Sequence, residues 1–197
     1  MIEKEKSPYS DTHNLWTIFS QQNDLELKIS RVSNISDGGK TKLLTLELQN
    51  RNLGYTISQS FTQSDSWLEF IDSPHILTCL YVQPVGRNIN ISIWRKTKWE
   101  RFFNLNITST GNPVFDNTFS ANSTDKQIQQ KLFQDRKIQE MMLSNDLLIF
   151  NIATNNNYMT VSLKDMGLRF YTYHELEMMN LNIKYIIETH INPLTNK

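Results

Sequence analysis

The sequence has one cysteine and few glycines, and both shortages exclude classes of functional site. Cys79 has no second cysteine with which to form a disulfide or a cysteine-rich zinc site. With six glycines in all, the chain has no phosphate-cradling glycine loop and no Gly-x-Ser-x-Gly elbow. Gly38-Gly39-Lys40-Thr41 lacks the upstream glycine of a Walker motif and leads into a predicted strand, so it predicts a hairpin turn. We therefore expect no bound cofactor.

An excess of charge and a long apolar run are also missing. Lys plus Arg equals Asp plus Glu at 20 each, so no overall field attracts polyanions, and there is no strong nucleic-acid signal. No window approaches the roughly 20 apolar residues of a spanning helix, and Met1–Pro8 lacks a signal peptide's apolar stretch. The sequence predicts a soluble, cytoplasmic protein, with peripheral association with a membrane left open.

What the chain does have is the composition of an ordinary globular protein. Hydrophobic residues make up 39% and charged residues 20% of the chain. A length of 197 residues buries a sizeable core without disulfides or metals. We interpret residues 1–10 as a disordered leader and 11–197 as a single domain, with lobes 11–110 and 111–197 as an alternative.

The periodicity of apolar residues changes along the chain and predicts the fold class. After a helix that Thr12 caps, period-2 alternation predicts strands near 25–29, 44–48, 55–57 and 89–93, and residues 76–82 are apolar on both faces. The spacing of Thr124 and Gln127 predicts a capping box and a helix of about five turns, followed by strands at 147–152 and 159–163. Thr172 and Glu175 open a final helix that Pro193 stops. Because strands come in runs, we expect an α+β fold: a mostly antiparallel sheet with about three helices packed on one face, in two layers.

Residues with catalytic chemistry are dispersed. The four histidines, at positions 13, 75, 174 and 190, have no metal-binding spacing. Cys79 lies in the two-faced apolar strand, where a buried thiol is inert. We expect no catalytic residue and no metal ligand. An enzyme whose site is assembled only in three dimensions stays an alternative, with Asp116, His174 or His75 as candidates.

A second feature is the stretch Gly111-Asn112-Pro113-Val114-Phe115-Asp116-Asn117-Thr118-Phe119. Interpreted as an extended segment, it places Phe115 and Phe119 on one face as core residues. Asp116 then lies on the other face, where it accepts hydrogen bonds from a nearby loop or caps a backbone amide.

This stretch resembles the Gly-(Asp/Asn)-Pro-x-Phe-Asp-x-x-Phe segment of a bacterial family of uncharacterised proteins, a domain of unknown function. The similarity covers about residues 88–192, where Leu132-Phe133, two strands and a final helix follow in the family's order. Many relatives carry transmembrane segments before this domain, and this chain departs from them by having none. The resemblance implies an order of elements and a structural role for five motif residues, but no mechanism: Gly111, Pro113, Phe115, Asp116 and Phe119.

The segment 94–103 interleaves basic and aromatic residues in a pattern typical of surfaces that contact lipid headgroups or stacked bases. Its candidate binding residues are Arg95, Lys96, Lys98, Trp99 and Arg101. At about 1 kcal/mol per basic residue, four give about 4 kcal/mol, or about millimolar affinity for an anionic membrane. The alternative is a strand whose Trp94 or Trp99 packs inward while its cations face water.

Together these patterns favour a non-catalytic binding or interaction domain of a bacterial protein. The partner would be another protein or a second copy of the chain. Two alternatives stay open: peripheral membrane or nucleic-acid binding through residues 94–103, and an enzyme.

Overall fold

The structure is a computed structural model, and it describes residues 8–36, 39–65, 70–74, 76–85, 88–102, 110–145 and 147–195. The fold is α+β, as predicted, and every strand pair with a described register is antiparallel. The strands are β1 Glu26–Ser36, β2 Gly39–Asn50, β3 Tyr55–Asp65, β4 Phe70–Pro74, β5 Leu77–Pro84, β6 Ile91–Arg95, β7 Phe119–Ser123, β8 Leu148–Asn155 and β9 Tyr158–Asp165. The helices are α1 Pro8–Gln22, α2 Lys98–Phe102, α3 Pro113–Thr118, α4 Lys126–Gln134, α5 Arg136–Ser144, α6 Tyr173–Ile186 and α7 Asn192–Thr195, with a π-helical turn at Ile187–Ile191.

The chain divides into two compact units. The first contains Met1–Cys79 and Gly167–Ile183, and the second contains Leu80–Met166 and Lys184–Lys197. The division passes through β5 and α6, so each unit is built from segments that are distant in sequence. Of the predicted leader, residues 1–7 lie outside the described residues, and α1 begins at Pro8.

The first unit is built on the antiparallel strands β1, β2 and β3, with β4 paired to β3. Leu44, Leu46 and Leu48 are buried, which confirms the alternation predicted for this strand. Trp16 and Phe19 of α1 are fully buried. Of the hairpin turn predicted at 38–41, residue 38 lies outside the described residues, and residues 39–41 belong to β2.

The second unit contains β7, β6, β8 and β9, paired in that order. Ile91 and Ile93 are buried in β6 and pair with Ile152 and Phe150 of β8, which are buried too. The regular apolar alternation at 89–93 therefore does mark a strand of the core.

The helix predicted after Thr124 is interrupted. Two nine-residue helices, α4 and α5, meet at Asp135, whose backbone is extended with φ −73° and ψ 111°. Its side chain accepts hydrogen bonds from the amides of Lys137 and Ile138, so it starts a new helix in place of continuing the old one. The predicted capping box at Thr124 is wrong by one residue, because Asp125 is the cap of α4.

Residues 113–118 form helix α3, so the prediction of an extended segment is wrong. Asn112 caps this helix, and Pro113 suits its first position because no helical bond needs the amide that proline lacks. Phe115 and Phe119 are nevertheless both buried, with ring centroids 5.0 Å apart.

The final helix begins as predicted and ends differently. Glu175 accepts hydrogen bonds from the amide and hydroxyl of Thr172, and Thr172 Oγ1 accepts the amide of Glu175 at 3.3 Å, which confirms the capping box. Pro193 does not stop the helical segment: α6 passes into the π-helical turn, and Pro193 lies inside α7.

The described ranges hold more helices than the three predicted, because short helices occupy loops that the apolar periodicity does not mark. None of the helices in these ranges combines the length and the apolar character needed to cross a membrane. Cys79 is fully buried in β5, as expected for a core cysteine.

Candidate binding site

A half-open polar cleft of about 490 Å³ lies in the second unit. Its walls come from the loop before α3, the end of α4 and the first turns of α5. The lining residues are Thr110, Gly111, Asn112, Pro113, Gln134, Arg136, Gln139 and Glu140. The first four belong to or adjoin the stretch that the sequence singled out.

One wall is the loop Thr110–Asn112, which the carboxylate of Asp116 holds in place. Asp116 Oδ1 accepts hydrogen bonds from the amide of Thr110 at 3.0 Å and from its hydroxyl at 2.7 Å. Gly111 then has φ +81°, a left-handed conformation that favours glycine. The predicted contact between Asp116 and a nearby loop is therefore present, although the residue lies on a helix.

Gln139 forms the floor of the cleft and joins its two walls. Its side chain is 5% exposed. Gln139 Oε1 accepts a hydrogen bond from Asn112 Nδ2 at 2.8 Å, and its Nε2 donates to the carbonyl of Phe133. Asn112 Oδ1 also accepts the amides of Val114 and Phe115 as the cap of α3. The side-chain amides of Asn112 and Gln139 are hydrogen-bonded within the protein, so they fix the shape of the cleft.

The break between α4 and α5 is fixed by Asp135, which has partners on both carboxylate oxygens. Oδ1 caps α5, while Oδ2 accepts hydrogen bonds from Tyr185 Oη at 2.6 Å and pairs with His190 Nε2 at 2.8 Å. The Lys137 ammonium lies 4.0 Å from the centre of the Tyr185 ring. His190 belongs to the π-helical turn, so the C-terminal segment is tied to the start of α5.

Hydrogen bonds and burial in this cluster change the pKa of two groups. Burial raises the pKa of Asp135, but hydrogen bonds from Tyr185, His190 and two backbone amides outweigh it and hold that pKa below its ordinary value. The hydrogen bond to Asp135 raises the pKa of Tyr185 above its ordinary value, and burial and the carboxylate's charge add to the effect.

Three polar side chains of the lining are uncommitted. Within the described residues, Gln134, Arg136 and Glu140 make no side-chain hydrogen bond or ion pair, and all three are exposed. The cleft therefore combines a fixed floor with three side chains that are available to a ligand: the cation of Arg136, the anion of Glu140 and the amide of Gln134.

The five candidate binding residues of segment 94–103 are not equivalent in the structure. Trp99 is 72% exposed on α2, and Lys98 and Arg101 are exposed beside it. Lys96 is 3% exposed, and its Nζ donates to the carbonyl of Asp116 at 2.6 Å, so it supports the fold. Arg95 is half-buried at the end of β6.

A local cap explains why residues 98–102 leave the predicted strand. Glu100 Oε2 accepts the amide of Thr97 at 2.7 Å, and Thr97 Oγ1 accepts the amide of Glu100 at 3.2 Å. The bonds from Thr97 hold the pKa of Glu100 below its ordinary value. This capping box starts α2 and turns Trp99 toward solvent.

The candidates for a catalytic site are divided between the two units and the residues outside the described ranges. His174 is exposed and lies 3.6 Å from Glu177 in the first unit, whereas Asp116 belongs to the second. His75 lies outside the described residues. In the part of the chain that the structure describes, no group of three or more His, Cys, Asp or Glu side chains is arranged to hold a metal ion.

Comparison with protein-family models, with curated proteins and with solved structures finds no match to this chain. The geometry of the cleft is therefore the main guide to function. Sequence reasoning named Gly111, Pro113 and Asp116 in this region but missed Arg136, Gln139 and Glu140, which lie in an amphipathic helix pattern with no local signal of a site.

Proposed function

We propose that the protein is a non-catalytic binding domain whose ligand site is the polar cleft. The observation that carries the proposal is a contrast within the cleft. The side-chain amides of Asn112 and Gln139 in the floor are hydrogen-bonded within the protein, whereas three polar side chains of the rim have no hydrogen-bond partner among the described residues: Gln134, Arg136 and Glu140. The proposal also includes three predictions from the sequence: a two-layer arrangement with helices on one face of the sheet, a bacterial origin and a cytoplasmic location.

The size and the construction of the cleft support a small ligand. Sites for small molecules are clefts of about 300–1,000 Å³, and this one measures about 490 Å³. A site that is already shaped before binding loses little conformational freedom when the ligand enters. Here Gln139 and Asp116 supply that shape through hydrogen bonds that need no ligand.

A fragment screen by NMR tests the proposal without knowledge of the ligand. The ¹⁵N-labelled protein is titrated with a set of small polar fragments, and we expect the shifts to concentrate at the amides of Gly111, Asn112 and Gln139. The larger side chain of Glu140→Trp should fill the cleft and abolish these chemical-shift changes. Gln130→Trp is the matched control, because Gln130 is exposed on α4 and does not line the cleft. Fragments that collect elsewhere, or that bind Glu140→Trp as well as the parent, would refute the proposal.

A second candidate function is contact with an anionic surface through α2. It is favoured by the exposure of Trp99 between Lys98 and Arg101. The two cations contribute about 1 kcal/mol each on an anionic membrane. Insertion of an aromatic ring of about 150 Å² adds up to about 4 kcal/mol at 25 cal/mol per Å². The sum of about 6 kcal/mol corresponds to a Kd on the order of 0.1 mM.

Vesicle sedimentation tests this second candidate. We expect binding to phosphatidylserine vesicles and weaker binding to pure phosphatidylcholine, with loss in Trp99→Ala and in Lys98→Gln/Arg101→Gln. Lys96 is unsuitable for this test because it is buried against α3. Equal binding by parent and variants would remove the candidate, and binding to an oligonucleotide in place of vesicles would reassign the surface.

A further inference from the structure

The cleft contains two opposite charges on one helix that do not pair with each other. Arg136 and Glu140 are four residues apart on α5, a spacing at which side chains are neighbours and Arg–Glu pairs commonly form. In the described residues no ion pair joins them, and neither has another partner.

The position of Arg136 does not suit helix stability. It is the first residue of α5, where the partial positive charge of the helix N-terminus disfavours a cation. Arg136 also precedes Glu140, whereas an i,i+4 pair is more favourable with the acidic residue first. The side chain is exposed. Helix stability does not explain a cation at this position, whereas the binding of a ligand would explain it.

We infer that the cleft recognises a small zwitterion of the free α-amino acid class, an inference that rests on the proposed binding function. The guanidinium of Arg136 matches a carboxylate through two parallel hydrogen bonds. The carboxylate of Glu140 accepts hydrogen bonds from an ammonium group. In an α-amino acid the nitrogen and the carboxyl carbon are only about 2.5 Å apart, so both groups fit between side chains whose Cβ atoms are about 5–6 Å apart.

The rest of the lining sets a limit on the ligand. The amides of Asn112 and Gln139 and the hydroxyl of Thr110 are committed, which leaves Gln134 as the uncommitted neutral group. A polar side chain on the amino acid therefore finds one partner beyond the two charges. A dipeptide carries its two charges on residues further apart, so it matches the spacing less well.

The test is an NMR titration of the full chain with free amino acids and two analogues of any that bind. One analogue is the N-acetylated acid, which lacks the ammonium, and the other is the decarboxylated amine. We expect both to bind about tenfold more weakly or worse, because each leaves one charged hydrogen bond unmade. Arg136→Gln and Glu140→Gln should each cause a similar loss, while Lys126→Gln, an exposed change on α4, should not.

A charge swap makes the test sharper. In Arg136→Glu/Glu140→Arg the same two charges are present in reversed order, so a zwitterion turned end for end should regain part of the affinity lost in each single variant. Binding of fragments in the cleft with no preference for zwitterions would overturn the inference and leave the proposed function standing. Absence of any ligand in the cleft would overturn both. Unchanged binding in both single variants would show that the charges do not contact the ligand.

Discussion

The contribution of Asp135 to stability is a prediction for which the structure supplies a magnitude. Its carboxylate caps α5 and accepts hydrogen bonds from Tyr185 and His190 while only 14% of the side chain is exposed. Loss of the cap costs about 1 kcal/mol. Two donors left without their acceptor add about 1 kcal/mol each, at the low end because some water reaches them. Asp135→Ala should therefore destabilise the second unit by about 3 kcal/mol.

A matched control separates the cap from the cluster. Asp125 caps α4 through the amides of Gln127 and Ile128, as Asp135 caps α5. Asp125→Ala should cost about 1 kcal/mol, so the excess in Asp135→Ala measures the bonds to Tyr185 and His190. Asp135→Asn keeps a capping oxygen and loses the charge, and we expect a cost of about 1–2 kcal/mol.

The assay is urea unfolding followed by circular dichroism, together with hydrogen exchange at the amides of β8 in the second unit. Exchange reports the second unit locally, which matters because two units need not unfold in one step. If Asp135→Ala lies within about 0.5 kcal/mol of the parent, the cluster adds nothing to stability. If Asp125→Ala costs as much as Asp135→Ala, the cap alone explains the effect.

The low pKa of Asp135 also predicts a pH dependence with a definite sign. Below the ordinary carboxyl pKa, near 3.8, the unfolded chain binds a proton that the folded chain does not. Stability from this group is therefore complete above that pKa and is lost as pH falls through the lower folded-state value. The difference in unfolding free energy between the parent and Asp135→Asn should shrink as pH is lowered below about 4. A difference that stays constant down to the acid unfolding of the parent would contradict the assignment.

Three further predictions concern other contacts of the second unit. The pKa of Tyr185 is raised, so its hydrogen bond to Asp135 stabilises the fold below the ordinary tyrosine pKa of 10.0 and is lost as pH rises through the folded-state value. Tyr185→Phe should therefore flatten the decline in thermal stability at alkaline pH. An unchanged decline would contradict this prediction. Asp116→Ala should cost about 1–3 kcal/mol and shift the NMR signal of Gly111, whereas a cost without that shift would mean that the loop does not depend on the carboxylate. Lys96→Glu should destabilise by about 3–5 kcal/mol, because it reverses a buried charge, and a stable variant in urea unfolding would show that Lys96 is accessible to water.

Local patterns allowed part of the fold to be predicted. The alternation of Leu44, Leu46 and Leu48 reflects a strand with one buried face, and this signal needs no knowledge of the rest of the chain. The capping box of Thr172 and Glu175 is equally local, because its two hydrogen bonds join residues three apart.

The interruption at Asp135 has no signal in the apolar spacing of the sequence. The apolar residues Ile128 and Leu132 are four apart, as are Ile138 and Met142, but Leu132 and Ile138 are six apart. At about 100° per residue, a spacing of six places two residues about 120° apart on a continuous helix, so all four residues still fit one apolar stripe and the spacing does not indicate a break. The partners of Asp135 lie 50 and 55 residues away in the sequence, and Asn112 and Gln139 of the cleft are 27 residues apart. No local pattern reports such contacts either.

The same interruption accounts for the cleft. In a continuous helix two residues that are two apart point about 200° away from each other, so Gln134 and Arg136 would face opposite sides. An extended residue between them reverses this, because side chains two apart in extended backbone lie on the same side. Gln134 and Arg136 accordingly line the cleft, while Asp135 between them bonds to Tyr185 and His190. A substitution at Asp135 that joins α4 and α5 into one helix should therefore remove the ligand site even where the core of the second unit stays folded.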